Sequence, residues 1–177
     1  LADGEVVLLR APTYRIEGDA GVLAGVAEIS PRFSRPVFGL GLLEAVPEAD
    51  VLAQVQAQAA AGEVSGRANY VWDPVTESVR LGRFGWKANQ PSLRAQTVTA
   101  YAEDMGVASS VFPNADGSVE VDEATVEAVT FYTQTLGVPA RRGLGDPQVR
   151  EGERLFASVG CASCHVPRLT TGTLPGV

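Results

Sequence analysis

The sequence predicts a mainly α-helical protein with long loops and small β-hairpins. Four segments begin near a residue that can cap a helix or start its first turn, and each ends at a glycine, the usual stop signal. These segments are 50–62, 89–106, 122–137 and 146–160. The chain also has 19 Gly and 11 Pro in 177 residues. Because these residues punctuate regular structure, the segments between the helices are predicted to be long loops.

The start signals differ among the four helices. Asp50, Asp122 and Asp146 are the predicted caps of the first, third and fourth helices, and Pro91 lies near the start of the second. In the third helix, Val126, Val129 and Leu136 fall on one face. A hairpin is predicted where Tyr70–Trp72 and Val79–Leu81 flank a turn that contains proline.

The first residues of the chain predict a turn and a β-strand, but no preceding strand with which it could pair. Asp3 and Gly4 form a turn signal directly before the apolar run from Val6 to Leu9. This order is typical of the second half of a hairpin whose first strand precedes residue 1. We therefore expect the sequence to be a fragment of a longer chain.

Charge and hydropathy argue against two classes of function. The net charge is −7, from 14 Lys and Arg against 21 Asp and Glu, whereas nucleic-acid binding draws on clustered basic residues. No run approaches the roughly 18 apolar residues of a membrane helix. We expect no nucleic-acid partner and no membrane span. Five arginines lie beside three acids between residues 141 and 168, a local excess that suits a solvated helix face or an acidic partner.

Both cysteines and the only histidine lie within five consecutive residues, as Cys161, Cys164 and His165. CxxCH is the spacing of haem c attachment, in which each thiol adds to a vinyl group and the imidazole binds the iron. We predict haem c on Cys161 and Cys164 with His165 as axial ligand. Cysteine and histidine at short spacing also occur in three other arrangements: a zinc site, a redox-active dithiol and a disulfide. Zinc needs about four ligands, a redox dithiol usually follows a strand, and a disulfide between residues three apart is strained.

The helix before this motif carries Gly152 and Phe156, four residues apart, on a face with Val149 and Leu155. A glycine there lets a second helix approach closely. The pattern resembles the N-terminal helix of class I cytochromes c, and the resemblance implies a cytochrome c-like haem domain. Twelve residues follow His165, too few for the crossing helix. We expect this domain to be truncated in the sequence.

Three runs together resemble the bacterial di-haem oxidoreductase family, also labelled thiol oxidoreductase. They are residues 25–48, 81–113 and 152–172, and the most specific part is GRFGWKANQPSL with Asp-Met-Gly downstream. The family is distantly similar to di-haem cytochrome c peroxidases. The resemblance implies two haem domains. Residues 1–140 would be the second part of the first, with inserted β-hairpins and its CxxCH missing, and 141–177 the truncated start of the second.

The only methionine, Met105, is a candidate axial ligand to iron, although a lone methionine often fills a core. In the family each CxxCH is followed downstream by Asp-Met-Gly, whereas here Met105 precedes Cys161. The resemblance therefore implies that Met105 binds the iron of a different haem from His165. The alternative places Met105 and His165 on the same iron.

The resemblance implies an enzyme that couples electron transfer to peroxidase-like or substrate-oxidising chemistry. Its partner would be a redox protein or a small electron donor, together with the missing flanking parts of the same protein. The periplasm is the predicted location, because haem c is attached outside the cytoplasm and the chain has no further cysteine. The alternative is an electron-carrier cytochrome c that catalyses nothing. We expect the fragment alone to be inactive.

Trp86, Gln90 and Glu103 are the candidate catalytic residues. Trp86 resembles the aromatic ring between the haems of related peroxidases, and is otherwise a large core residue. Gln90 and Glu103 are candidates to reach a peroxide in an open distal pocket. Residues 114–123 resemble a calcium loop, and related di-haem enzymes hold calcium, but a turn followed by a cap at Asp122 is favoured.

Overall fold

A computed structural model describes residues 4, 6, 8, 10–15, 17–18, 30–62 and 64–174. The chain divides into two compact units, Leu1–Arg35 and Pro36–Val177. In the first unit the described residues form no helix or strand. The strand predicted from Val6 to Leu9 lies partly outside the described residues, as does Asp3 of its turn, so the hairpin there stays a prediction.

The second unit contains five α-helices and one hairpin among its described residues. The helices are α1 (Leu40–Glu44), α2 (Glu48–Ala61), α3 (Leu93–Thr99), α4 (Glu123–Thr135) and α5 (Pro147–Ser158). The strands β1 (Tyr70–Asp73) and β2 (Ser78–Leu81) pair antiparallel, with Tyr70 opposite Leu81. Both the mainly helical class and the hairpin are therefore confirmed. None of the helices in the part of the chain that the structure describes is long and apolar enough to cross a membrane.

Two predicted helix ends are wrong in detail. Pro47, not Asp50, occupies the N-cap position of α2. Because the fixed φ of proline suits the entry to a helix, α2 starts earlier and Asp50 lies in its first turn. Leu136 is the C-cap of α4 in extended conformation. The helix therefore ends before Leu136 can continue the apolar face of Val126.

The core lies between α3 and α4. Val98 of α3 and Val126 of α4 are fully buried and pack with Val121. Ser92 caps α3 by accepting from Ala95 N at 3.1 Å. After Thr99 the helix continues as a π-helix over Ala100–Asp104, a conformation with one extra residue in the turn.

Helix α1 is held by polar contacts from three other elements. Glu44 accepts from the backbone N of Leu93, at the start of α3, and from Gln134 Nε2, near the end of α4, both at 2.7 Å. Arg83, just after the hairpin, donates to the carbonyl of Leu43. A five-residue helix is unstable alone, so these contacts define its position in the fold.

Asp122→Ala is expected to lower the melting temperature by roughly 2–4 °C, because it removes the N-cap of α4. The Asp122 carboxylate accepts from Thr125 N at 2.8 Å. Asp122→Asn keeps an acceptor and is expected to stay close to the wild type at pH 7. Thermal melting followed by circular dichroism checks both variants, and equal losses in the two would contradict the capping role.

The same cap makes stability depend on pH. The hydrogen bond from Thr125 holds the pKa of Asp122 below its usual 3.8. The folded state therefore binds this proton more weakly, so the contribution of Asp122 is complete above pH 3.8 and is lost as the pH falls further. We expect the melting temperature of Asp122→Asn to fall less steeply than that of the wild type over this acidic range.

Candidate functional site

The CxxCH motif forms one tight turn directly after α5. Gly160 adopts φ 89°, a left-handed conformation that reverses the chain at the end of the helix. Cys161–Ser163 then form a 3₁₀ turn. The backbone N–H groups of Cys164 and His165 both donate to the carbonyl of Cys161, at 3.2 and 2.9 Å. The two thiols and the imidazole therefore belong to one hydrogen-bonded turn.

Both cysteines are free thiols, Cys161 half-buried and Cys164 exposed. His165 is also exposed. Its imidazole meets the ring of Phe156 edge to face, with ring centroids 5.5 Å apart and planes at 61°. An aromatic contact of this geometry orients a side chain that is otherwise open to a ligand. Phe156 lies on α5, so the helix orients the imidazole that follows it.

Helix α5 places an apolar surface next to the turn. Leu155, Phe156 and Val159 are 43, 46 and 70% exposed, and Leu169 beyond the motif is also exposed. A Cβ on Gly152 would meet nothing within 4 Å. The helix approach predicted at Gly152 is therefore not seen among the described residues. Exposed apolar side chains on the helix that leads into two thiols suit a large, flat and mostly apolar ligand.

Three of the four charged side chains on α5 form ion pairs, one pair within the helix and one with Arg141 before it. Arg141 binds Glu153 through two hydrogen bonds of 3.0 and 2.7 Å, and Arg154 binds Glu151. These hydrogen bonds hold the pKa of both glutamates below its usual range and raise that of both arginines. The pairs are exposed, so they add little to stability. Part of the arginine excess thus serves a solvated helix face.

Two long-range hydrogen bonds connect the motif and the segment after it to α1 and α2. Gln58 Nε2 of α2 donates to the carbonyl of Ser163 at 3.0 Å. Gly172 N donates to the carbonyl of Ala45, the C-cap of α1, at 2.7 Å. The unit Pro36–Val177 therefore includes the motif and its anchors, while the division predicted between residues 140 and 141 stays a prediction. Gln58 is not predictable as a site residue, because no local signal marks a contact over 105 residues.

Met105 lies at the end of the π-helix and is 56% exposed. Its N–H donates to the carbonyl of Ala100, and Gly106 follows with φ 66°. A methionine so exposed does not fill a core, and its thioether is accessible to a ligand. π-Helical turns often occur at functional sites. The exposure is compatible with metal binding, and the role of Met105 as an iron ligand stays a prediction.

Three candidate catalytic residues occupy different local settings. Trp86 is 37% exposed, in a loop where Lys87 and Ala88 both have positive φ. Gln90 is buried, and its Oε1 accepts from Thr99 Oγ1 at 3.3 Å. Glu103 is exposed on the π-helix. The amide of Gln90 is thus already engaged in the fold, whereas Trp86 and Glu103 reach the surface.

In the loop that resembles a calcium-binding loop, residues 114–123, the polar side chains make separate contacts. Asp116 accepts from Ser118, Glu120 accepts from Ala108 N, and Asp122 caps α4. Hydrogen bonds from Ser118 lower the pKa of Asp116. In the described part of the chain no group of three or more His, Cys, Asp or Glu could hold a metal ion. The favoured turn and cap are seen, and calcium stays a prediction.

The donor set of the CxxCH turn fits a covalently attached haem. The thiols are unpaired, lie three residues apart in one turn and are followed by an exposed imidazole beside apolar side chains. A zinc site would need further ligands, and the described residues contain no group of three or more His, Cys, Asp or Glu that could hold a metal ion. The geometry of the turn is therefore compatible with haem attachment, and covalent haem stays a prediction.

Comparison with known proteins gives one family. A model of the family described as "Di-haem oxidoreductase, putative peroxidase" matches residues 1–116 and 114–177. Searches of curated proteins and of solved structures gave no match. The two matched segments together span the whole sequence, including the loop of Trp86, Met105 and the CxxCH turn. The chain therefore belongs to the di-haem oxidoreductase family.

Proposed function

We propose that the chain is part of a periplasmic c-type haem oxidoreductase that couples electron transfer to peroxidase-like or substrate-oxidising chemistry. One observation carries the proposal: two free thiols and an exposed imidazole are held in a single turn. Family membership supports a haem oxidoreductase. The periplasm follows from covalent haem attachment, which takes place outside the bacterial cytoplasm.

The residues of the turn have distinct roles in this proposal. Cys161 and Cys164 would each form a thioether, with sulfur bonding to one vinyl carbon and the thiol proton going to its neighbour. His165 would be an axial ligand, oriented by the ring of Phe156. The apolar side chains of α5 would exclude water from one edge of the macrocycle. A bound haem supplies one-electron chemistry and, where an axial position is open, a place for peroxide.

Met105 is proposed as the axial ligand of a second haem, in keeping with a di-haem family. Its exposed thioether supports a role outside the core. Met105→Ala should leave the ligation of the haem on His165 unchanged, as seen in its absorption and electron paramagnetic resonance spectra. A changed ligation at His165 would favour the alternative, in which both residues bind one iron.

A non-catalytic electron carrier is the second candidate function. The exposed Met105 supports it, because an iron with both His and Met ligands has no open position for peroxide. In the enzyme, Trp86 and Glu103 are proposed to contribute at the surface, since both are accessible, and Gln90 from within the fold. A redox protein or a small donor would supply electrons in either case. Calcium binding is not needed by either function.

The test of function uses the chain produced in a bacterial periplasm with the haem-attachment machinery. Mass spectrometry should find one covalently bound haem on the peptide with Cys161 and Cys164. For the intact protein that contains both haems, we expect the Soret band of the reduced form to respond to carbon monoxide or hydrogen peroxide. No response at either haem would support the electron carrier, and free thiols with no macrocycle would overturn both functions.

A further inference from the structure

Gln58 contacts the centre of the CxxCH turn. Its Nε2 donates to the carbonyl of Ser163, the residue directly before Cys164. That carbonyl belongs to the peptide unit that joins Ser163 to Cys164, so the hydrogen bond limits the rotation of this unit. Because Cys164 N and His165 N share the carbonyl of Cys161, a restraint on one peptide of the turn restrains the others.

The amide of Gln58 is itself held in place. Gln58 is half-buried on α2, and a Cβ on Gly66 would collide with its Oε1. Because glycine has no Cβ, the side-chain amide of Gln58 can lie against the backbone of Gly66, with Nε2 directed to the carbonyl of Ser163. A side chain confined in this way loses little further freedom when it forms its hydrogen bond.

We propose that Gln58 is a positioning residue for the haem on Cys161 and Cys164. It holds the turn in one conformation, so that the imidazole of His165 meets the iron in one orientation. The backbone bond from Gly172 to Ala45 fixes the chain on the other side of the motif, while Gln58 restrains the turn itself. The inference rests on the proposed attachment of haem and adds a residue from α2 to its support.

The test compares Gln58→Leu with Gln56→Leu. Gln58→Leu removes the Nε2 donor and keeps a side chain of nearly the same size. Gln56 is exposed on the same helix, so its variant is a matched control for helix propensity and polarity. Hydrogen exchange, followed on the amides of Cys164 and His165, should be about fivefold faster in Gln58→Leu, the change expected for one lost hydrogen bond. Gln56→Leu should exchange as the wild type does.

The haem gives an independent readout in the same chains. Gln58→Leu should shift the midpoint potential and the circular dichroism of the Soret band, while Gln56→Leu should leave both unchanged. Gln58→Glu also removes the donor but keeps a polar side chain, and should act in the same direction if Gln58→Leu does not fold.

Three results would overturn the inference, and they are distinguishable. Equal exchange rates in Gln58→Leu and Gln56→Leu would show that the hydrogen bond does not hold the turn. Faster exchange with an unchanged potential and Soret spectrum would show a structural contact without influence on the haem. A wild-type chain without covalent haem would defeat the proposed function first and the positioning role with it, although the exchange difference would persist.

Discussion

Gly41→Ala is expected to lower the free energy of unfolding by about 3 kcal/mol or more. Gly41 is buried where α1 crosses α4. A Cβ there would lie 2.7 Å from the carbonyl carbon of Gln134 and 2.9 Å from its Cα, and would overlap its carbonyl oxygen. These are backbone atoms, which cannot rotate away. The two helices would therefore have to separate, which would strain the contacts of Glu44 with Leu93 and Gln134.

Gly152→Ala is the matched control for this substitution. Gly152 is also helical, but a Cβ there would meet nothing within 4 Å. Alanine should therefore stabilise α5 by up to about 1 kcal/mol, through its higher helix propensity. Urea denaturation of both variants measures the difference. A loss in Gly152→Ala would indicate a helix packed on that face, and a neutral Gly41→Ala would contradict the close crossing of α1 and α4.

Replacing both thiols, as Cys161→Ser and Cys164→Ser together, is expected to abolish covalent haem attachment. Serine has nearly the same size but forms no thioether with a vinyl group. The turn should keep its conformation, because its hydrogen bonds use the backbone of Cys161, Cys164 and His165. Denaturing electrophoresis stained for haem should show no signal for the double variant and a strong one for the wild type.

Ser163→Ala is the control for the cysteine variants. It changes a residue between the thiols but keeps the carbonyl that accepts from Gln58. We expect haem attachment to persist in Ser163→Ala. Retention of covalent haem by the double serine variant would show that the chain does not bind haem through these sulfurs, and the proposed function would fail.

Local signals in the sequence were sufficient for the hairpin and for most of α4 and α5. Asp122 and Asp146 cap their helices as predicted, since each carboxylate accepts from a backbone N–H within its own first turn. Helix α1 was not predicted. Its five residues lie in a segment rich in glycine and proline, and its contacts come from Arg83, Leu93 and Gln134. Tertiary contacts of this kind leave no periodic pattern.

The site was predictable where its chemistry lies in consecutive residues. The spacing of Cys161, Cys164 and His165 predicts the candidate site, and the structure places a 3₁₀ turn over Cys161–Ser163. The supporting residues were harder to find. The ring contact of Phe156 with His165 depends on the exact end of α5, and the hydrogen bond of Gln58 depends on how α2 packs. The π-helix before Met105 likewise has no signature that we could recognise in the sequence.

The long reach of the Gln58 hydrogen bond has a consequence for the order of folding. The 3₁₀ turn and α5 are built from neighbours in sequence and can form within microseconds, whereas closing a loop of 105 residues carries a larger entropic cost and comes later. A newly made chain would thus form the CxxCH turn before α2 docks against it. The haem attachment proposed above would have this early interval available, and docking of α2 would then restrain the turn through the Gln58 hydrogen bond.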